Sequence, residues 1–135
     1  MEIEICSIED AEKLASMNKR LIGDEKSTNE MAPGELEKRM RNFLATAYKA
    51  YWFIESGEKV GYALIDFSRN PLYLRQFYID RIYRKKHLGT EAFQGLLNFL
   101  ETDDIDIEVL SWNETGILFW KSLRFKELSR YMRHE

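Results

Sequence analysis

The chain has 135 residues, of which 44% are hydrophobic and 13% aromatic, with a formal net charge of -3 and a pI near 5.5. This length predicts one domain spanning residues 1–135, and the apolar content is sufficient to build a core, which argues against intrinsic disorder. The acidic balance argues against a dedicated nucleic-acid binder, which would carry a basic excess.

Two absences narrow the class of protein further. Cys6 is the only cysteine, so neither an intramolecular disulfide nor a cysteine-based metal cluster is expected. The N-terminal stretch MEIEICSIED lacks the layout of a signal peptide, and no apolar run approaches the ~20 residues of a membrane span. We therefore expect a cytoplasmic protein that uses no metal and binds no membrane or nucleic acid.

The N-terminal part of the chain predicts one strand followed by two helices. Residues 2–6 alternate between glutamate and apolar side chains, which predicts a short strand with one buried face. Ser7 and Gly23 mark the expected start and end of the first helix. The polar residues 23–32 predict a loop, and Pro33 suits the first turn of the second helix.

The remaining chain predicts a β-meander, a crossover helix and a closing strand. The three strands of the meander are expected within 51–56, 59–68 and 72–79, with turns at Gly57-Glu58 and at 69–71. An apolar helix after residue 90 leads to a strand at 105–110, and a strand, a helix and a strand in this order imply parallel pairing. A short helix at 114–122 and a strand at 125–133 complete the order β-α-α-β-β-β-α-β-α-β.

Arg84-Lys85-Lys86-His87 places four consecutive basic residues where a predicted strand gives way to a helix. Cations at a helix start oppose the helix dipole by about 0.3–1 kcal/mol each, so this arrangement is locally unfavourable. The first N–H groups of a helix are unpaired and bind phosphate well, and Gly89 would allow a ligand close to the backbone. Two interpretations stay open: a solvated basic turn, or an anion-binding site.

Two motifs carry a resemblance to a known family. The segment Arg84-Lys85-Lys86-His87-Leu88-Gly89 resembles the Arg/Gln-x-x-Gly-x-Gly/Ala loop of the GNAT superfamily of acyl-CoA-dependent N-acetyltransferases. Asn113, Gly116, Trp120 and Arg124-Phe125 resemble its second landmark, and the predicted element order matches over almost the whole chain. The resemblance implies a mixed α/β (α+β) fold: a mostly antiparallel sheet with a central parallel, splayed pair, flanked by about four helices.

The resemblance also implies a reaction and a coenzyme site. An acetyl group would pass from acetyl-CoA to a primary amine of a small molecule or protein by direct attack. In the family, a bulge and a splay leave strand N–H groups unpaired, and these polarise the thioester oxygen. The implied coenzyme-binding residues are Phe77, Tyr78 and Ile79 along the pantetheine arm, Arg84, Lys85, Lys86, His87, Leu88, Gly89 and Thr90 at the pyrophosphate, and Asn113 and Trp120.

Three positions depart from the family pattern. His87 replaces the first loop Gly, so a positive φ there would alter the loop or lower coenzyme affinity. Arg124 replaces the Gly before Phe125, which changes a turn rather than the chemistry. Trp120 replaces a Tyr that protonates the departing thiolate, and an indole N–H does not release its proton. The thiolate then leaves unassisted, or Tyr131 supplies the proton, and Trp120 is either a packed helix residue or a coenzyme contact.

An alkyl amine with a pKa near ~10.4 is protonated at pH 7, so a base is expected. Asp106 and Glu108 share one face of a predicted strand, and Glu108 is the first candidate for the base. Asp66 is the second candidate. For both candidates the alternative is an ordinary solvated or end-of-strand acid. The 23–32 loop also carries Asp24, Glu25 and Glu30, which form either a rim for a cationic amine or a hydrophilic surface.

Two other functions remain as alternatives. His87 and Trp120 are compatible with a non-catalytic CoA-binding sensor or interaction domain of the same fold. A nucleic-acid-binding basic loop is the third option, disfavoured by the acidic pI. Because the chain ends soon after Phe125, pairing with a second subunit would complete the sheet edge, which predicts a homodimer.

Overall fold

A five-stranded sheet carries helices on both of its faces. The structure is a computed structural model that describes the backbone of residues 1–135 and all side chains except those of residues 85 and 86. The strands are β1 (Glu2–Ile5), β2 (Tyr48–Glu55), β3 (Glu58–Asp66), β4 (Leu72–Ile79) and β5 (Ile105–Ile107). The helices are α1 (Ala11–Asp24), α2 (Pro33–Leu44), α3 (Leu88–Leu100) and α4 (Glu114–Ser122), and 3₁₀ helices at Ile8–Asp10 and Arg81–Lys86 precede α1 and α3.

The strand order β1-β2-β3-β4-β5 confirms the predicted mixed sheet. Neighbours are antiparallel except β4 and β5, which are parallel, with Leu72 opposite Ile105 and Leu74 opposite Ile107. The connection between them contains α3, as the predicted crossover requires. The parallel pair forms one edge of the sheet rather than its centre, and the predicted homodimer pairing at this edge stays a prediction.

The prediction of a closing strand at 125–133 is wrong. Within the described backbone, no strand follows α4. Leu128, Tyr131 and Met132 are all more than three-quarters exposed. Their spacing of three and four residues does not alternate along a strand, so no single face of this segment could be buried on the sheet.

Both faces of the central strands are buried, which explains their nearly continuous apolar sequences. Trp52 and Phe53 are adjacent in β2 and both almost fully buried, yet they point to opposite sides of the sheet. Phe53 packs in the cluster with Phe93 and Leu96 of α3. Trp52 packs in the cluster with the α1 and α2 residues, which include Leu14 and Met40. The sheet therefore separates an α1/α2 layer from an α3/α4 layer.

Most local signals appear where the sequence predicted them. Pro33 is the first residue of α2, as predicted. Helix α1 ends one residue later than Gly23, and Lys26 rather than the glycine takes a positive φ of 52°. The β2–β3 turn is formed by Ser56 and Gly57, both with positive φ, one residue earlier than predicted. Such a pair matches the right-handed twist of a hairpin.

Candidate active site

The centre of the candidate site is the point at which β4 separates from β5. The β3–β4 register shifts between Leu64 and Ile65, which leaves Arg75 as an extra, bulged residue of β4. Pairing between β4 and β5 ends at Leu74, although β4 continues to Ile79. In the described backbone, no strand pairs with this side of β4 beyond Leu74. The bulge and the splay implied by the resemblance are therefore both present.

The separation of the strands opens a cleft through the sheet, which we call the splay cleft. The cleft is small, with a cavity volume of about 40 Å³. Its lining residues are Leu21 and Glu25 at the end of α1, Leu74, Arg75, Gln76 and Phe77 of β4, Ile107 and Glu108 at β5, and Trp120 of α4. These residues come from both helix layers, so the cleft lies between the end of α1 and the start of the α4 wall.

Of the three predicted catalytic residues, Glu108 alone lines the splay cleft. It lies against the Tyr73 hydroxyl, and burial together with the charge of Glu108 raises the pKa of Tyr73 to about 12. Asp66 instead ends β3 and accepts hydrogen bonds from the Ser68 N–H (2.9 Å) and hydroxyl (2.6 Å). These bonds lower the pKa of Asp66, which suits a turn acid better than a base. Tyr131 is 85% exposed, outside any described strand or helix.

An aromatic cluster forms the α4 wall of the splay cleft. The Trp120 ring contacts Phe77 at 5.1 Å, Phe93 at 5.4 Å and Phe125 at 5.4 Å between centroids, each edge to face. Phe119 lies beside Phe77 at 6.1 Å. Trp120 is thus a packed helix residue that also borders the cleft, so its two predicted roles are compatible in one position.

The loop before α3 leaves the start of that helix without a side-chain cap. His87 adopts φ 59° and ψ 18°, the left-handed region, and no side chain caps α3 in the described part of the chain. The N–H groups of residues 88–90 begin the helix, where intrahelical partners are lacking. Leu88 is buried, so only its main chain is available to a ligand. The predicted phosphate contacts of Lys85 and Lys86 lie outside the described side chains.

Gly89 has a packing role that differs from the predicted one. A Cβ built at this position would lie 3.3 Å from the Phe119 ring, closer than most real Cβ contacts. The absence of a side chain at Gly89 therefore lets α4 approach the first turn of α3.

Beside this loop lies a group of paired charges, which we call the arginine cluster. Its members are Arg20, Asp24, Asp80, Arg81 and Arg84. Asp24 accepts from Arg81 at 2.7 Å through Oδ1 and from Arg84 through Oδ2. Partial burial opposes ionisation of Asp24, but the hydrogen bonds from both arginines keep its pKa below the usual range. Arg84, predicted to bind phosphate, is thus paired with an acid of α1 in this structure.

The second motif folds as a capped helix. The Asn113 side chain accepts a hydrogen bond from the Gly116 N–H at 3.1 Å and caps α4. A Cβ at Gly116 would lie 2.4 Å from the Asn113 side-chain amide nitrogen. This close approach explains why the residue three positions after Asn113 is a glycine. Arg124 has φ 75°, and the Phe125 N–H returns to the Trp120 carbonyl at 3.1 Å. This is a Schellman cap, so Arg124 affects a turn, as expected.

One contact beside the cleft has no signal in the sequence. The Trp112 indole N–H donates to the main-chain carbonyl of Glu25 at 3.1 Å, joining the loop before α4 to the end of α1. The sequence placed Glu25 on a general acidic rim but did not place it against the strand splay. These residues are 87 positions apart, and no local pattern links them.

Residues 14–125 match the model of the acetyltransferase (GNAT) family. The chain belongs to the GNAT acetyltransferase family. Its fold is similar to that of a possible acetyltransferase from Clostridium difficile 630, with a TM-score of 0.78, 20% identity, and coverage of 99% of this chain and 95% of that one. None of the curated proteins matches the chain.

Two further structures show that the fold is shared with other acetyltransferases. A predicted acetyltransferase with acetyl-CoA from Clostridium acetobutylicum has a TM-score of 0.73 at 16% identity, covering 99% of this GNAT chain and 95% of that one. An aminoglycoside acetyltransferase from an uncultured soil metagenomic sample, in complex with sisomicin, has a TM-score of 0.74 at 11% identity with the same coverage.

The described residues contain no group of three or more His, Cys, Asp or Glu side chains placed to hold a metal ion. Among the helices of the same residues, none has the length and apolar character needed to cross a bilayer.

Proposed function

We propose that this GNAT protein is an N-acetyltransferase that transfers the acetyl group of acetyl-CoA to a primary amine of a small molecule or protein. The splay cleft is the observation that carries the proposal, because it brings an unpaired strand edge and two carboxylates to one opening. Two proteins of similar fold, one a predicted acetyltransferase with acetyl-CoA and one an aminoglycoside acetyltransferase, support the donor and the amine acceptor.

The described residues fit acetyl-CoA on one side of β4. The side chains of Tyr78 and Ile79 are buried, so at these positions the pantetheine arm would contact the main chain of the strand. The N–H groups of residues 88–90 would bind the pyrophosphate, helped by the positive end of the α3 dipole. Asn113 and Trp120 would border the arm from the α4 side. The site therefore needs main-chain groups more than particular side chains.

The chemistry would take place where β4 leaves β5. Main-chain N–H groups near the bulge at Arg75 would polarise the thioester oxygen as negative charge develops on it. Glu108 lines this opening and would be one of its two candidate bases, the other being Glu25. Trp120 could donate a hydrogen bond to the sulfur but could not protonate it. Since Tyr131 is exposed and outside the cleft, we expect the thiolate to leave without a protein acid.

Two measurements on the same preparation test this proposal. Calorimetry with acetyl-CoA measures coenzyme binding, and a thiol-release assay over a panel of primary amines measures turnover. We expect saturable binding together with release of CoA that depends on the amine. Binding without turnover on any amine would favour the alternative of a non-catalytic CoA sensor. Failure to bind acetyl-CoA would contradict the assigned site.

A further inference from the structure

We propose that Glu25 is the carboxylate that binds the acceptor as an ammonium ion and takes its proton before attack. This inference rests on the proposed function and deepens it, because it limits the favoured acceptors to cationic amines. It also assigns the role of the base to Glu25 rather than to Glu108, which the sequence pattern of the predicted strand favours.

Glu25 is held at the splay cleft by its main chain. Its N–H donates to the Leu21 carbonyl at 2.9 Å and so continues the last turn of α1. Its carbonyl accepts from the Trp112 indole at 3.1 Å, which anchors the turn to the opposite side of the cleft. Two hydrogen bonds to different elements fix the backbone, while the side chain is only half-buried and borders the opening.

Other polar groups of the cleft already have partners. The side-chain carbonyl of Gln76 accepts a hydrogen bond from the Tyr62 hydroxyl at 2.8 Å. Glu108 is engaged by Tyr73. The Arg75 guanidinium donates to the Tyr48 hydroxyl at 3.4 Å.

Glu25 differs from those groups and from its neighbour Asp24. Among the described side chains, Glu25 has neither an ion pair nor a hydrogen-bond donor, whereas Asp24 is bound by two arginines. Asp24 lies beside Glu25 and Glu108 lines the other wall of the cleft, while Arg75, which also lines the cleft, donates to the Tyr48 hydroxyl. Burial, with Asp24 adding to it, raises the pKa of Glu25. An incoming ammonium ion would therefore remove an existing electrostatic penalty.

The proposed step balances as a simple acyl transfer. The ammonium gives one proton to the Glu25 carboxylate, which leaves a neutral amine with a free electron pair. The nitrogen attacks the thioester carbonyl, the C–N bond forms and the C–S bond breaks. The second proton lost by nitrogen ends on the released thiolate, and Glu25 returns its proton to solvent. No oxidant, reductant or metal is consumed.

The test compares Glu25→Gln, Glu108→Gln and a control, Glu12→Gln, which removes an exposed acid from the same helix. Each is assayed with a primary alkyl amine, protonated at pH 7, and with methoxyamine, which is neutral at that pH. For Glu25→Gln we expect kcat/KM to fall at least about 100-fold with the alkyl amine, as for a lost general base, and only a few-fold with methoxyamine. The dissociation constant of acetyl-CoA should not change, and Glu12→Gln should behave as wild type.

Several outcomes would overturn the inference while leaving the proposed function intact. These are an active wild type with unchanged Glu25→Gln kinetics, an equal loss with both amines, or the selective loss appearing in Glu108→Gln instead. A wild type inactive with every amine would contradict the proposed function itself. Glu25→Asp keeps the charge on a shorter side chain, so it should retain the preference for the alkyl amine at a reduced kcat. Loss of that preference in a folded Glu25→Asp protein would also count against the proposal.

Discussion

The arginine cluster and the splay cleft lie along the same half of β4, yet they treat acidic side chains in opposite ways. Asp24 and Glu25 are adjacent at the end of α1. Asp24 is bound by Arg81 and Arg84, and its pKa is lowered. Glu25 has no arginine partner in the described structure, and its pKa is raised. A paired acid such as Asp24 holds elements together, whereas an unpaired acid beside an opening, such as Glu25, is available to a cation from outside.

The largest effect is expected on the free energy of unfolding, from a substitution in β3, the strand that pairs with β4. Gly61 of β3 lies opposite Ile79, and a Cβ there would be 1.9 Å from the Tyr78 main-chain oxygen. Gly61→Ala must therefore displace backbone, and we expect a loss of about 3 kcal/mol or more in the free energy of unfolding, measured with urea. Both coenzyme binding and turnover should fall with it.

A second glycine provides the control for that substitution. Gly23 lies in α1 with no atom within 4 Å of an added Cβ. Gly23→Ala should stabilise the protein by about 0.5–1 kcal/mol, because alanine is the better helix former. If both variants unfold within 1 kcal/mol of wild type, the close approach of β3 and β4 is not as described.

The next effect is expected on the dissociation constant of acetyl-CoA, if the arginine cluster contributes to coenzyme binding. Arg84 precedes α3, donates to the Ile79 carbonyl at 2.7 Å and pairs with Asp24. If it forms a charge-assisted hydrogen bond, Arg84→Ala should weaken acetyl-CoA binding by about 1.5–3 kcal/mol, or roughly 10- to 150-fold. Arg130→Ala, in the exposed C-terminal segment, is the matched control. An unchanged dissociation constant by calorimetry would remove Arg84 from the site.

The sheet and the helices could be predicted because their signals are local. The α4 boundaries, 114–122, agree between sequence and structure. Asn113 caps that helix through a hydrogen bond to a residue only three positions later in the sequence. The splay was expected only through the family resemblance. The strand predicted at 125–133 has no alternating apolar pattern to support it, and the described backbone has no strand there.

The two regions compared above could not be predicted, because they depend on contacts between distant residues. The Asp24–Arg84 pair spans 60 positions, and the Trp112–Glu25 bond spans 87. An acidic loop sequence shows that carboxylates are present there but not which of them meets an arginine. That distinction is decided when α1 packs against the end of β4.

A smaller effect should appear when Asp24, the acid that pairs with Arg81 and Arg84, is neutralised. Asp24→Asn frees Arg81 and Arg84, so we expect a loss of about 1 kcal/mol in stability. If the coenzyme phosphates use the freed arginine, acetyl-CoA should bind about 3- to 10-fold more tightly by calorimetry. Glu37→Gln, which removes an acid paired with Arg41 on α2, should not change coenzyme binding. Tighter binding in both variants would point to net charge rather than to Arg84.

The smallest effect is a pH dependence with opposite signs for two adjacent residues. The folded pKa of Asp24 is lowered, so its carboxylate stabilises the fold above its unfolded pKa of about 3.9, and this contribution is lost as the pH falls through the folded value. The folded pKa of Glu25 is raised, so its charge destabilises the fold once the pH rises above about 4.3. Asp24→Asn should therefore be less stable than wild type at pH 7 by about 1 kcal/mol, and Glu25→Gln more stable by about 0.5 kcal/mol. In thermal unfolding, the Glu25→Gln difference should shrink as the pH falls toward 4, whereas the Asp24→Asn difference should shrink only below about pH 3.9, as the pH falls through the folded pKa of Asp24. Shifts of the same sign would mean that the two acids share one environment, and the contrast between cluster and cleft would fail.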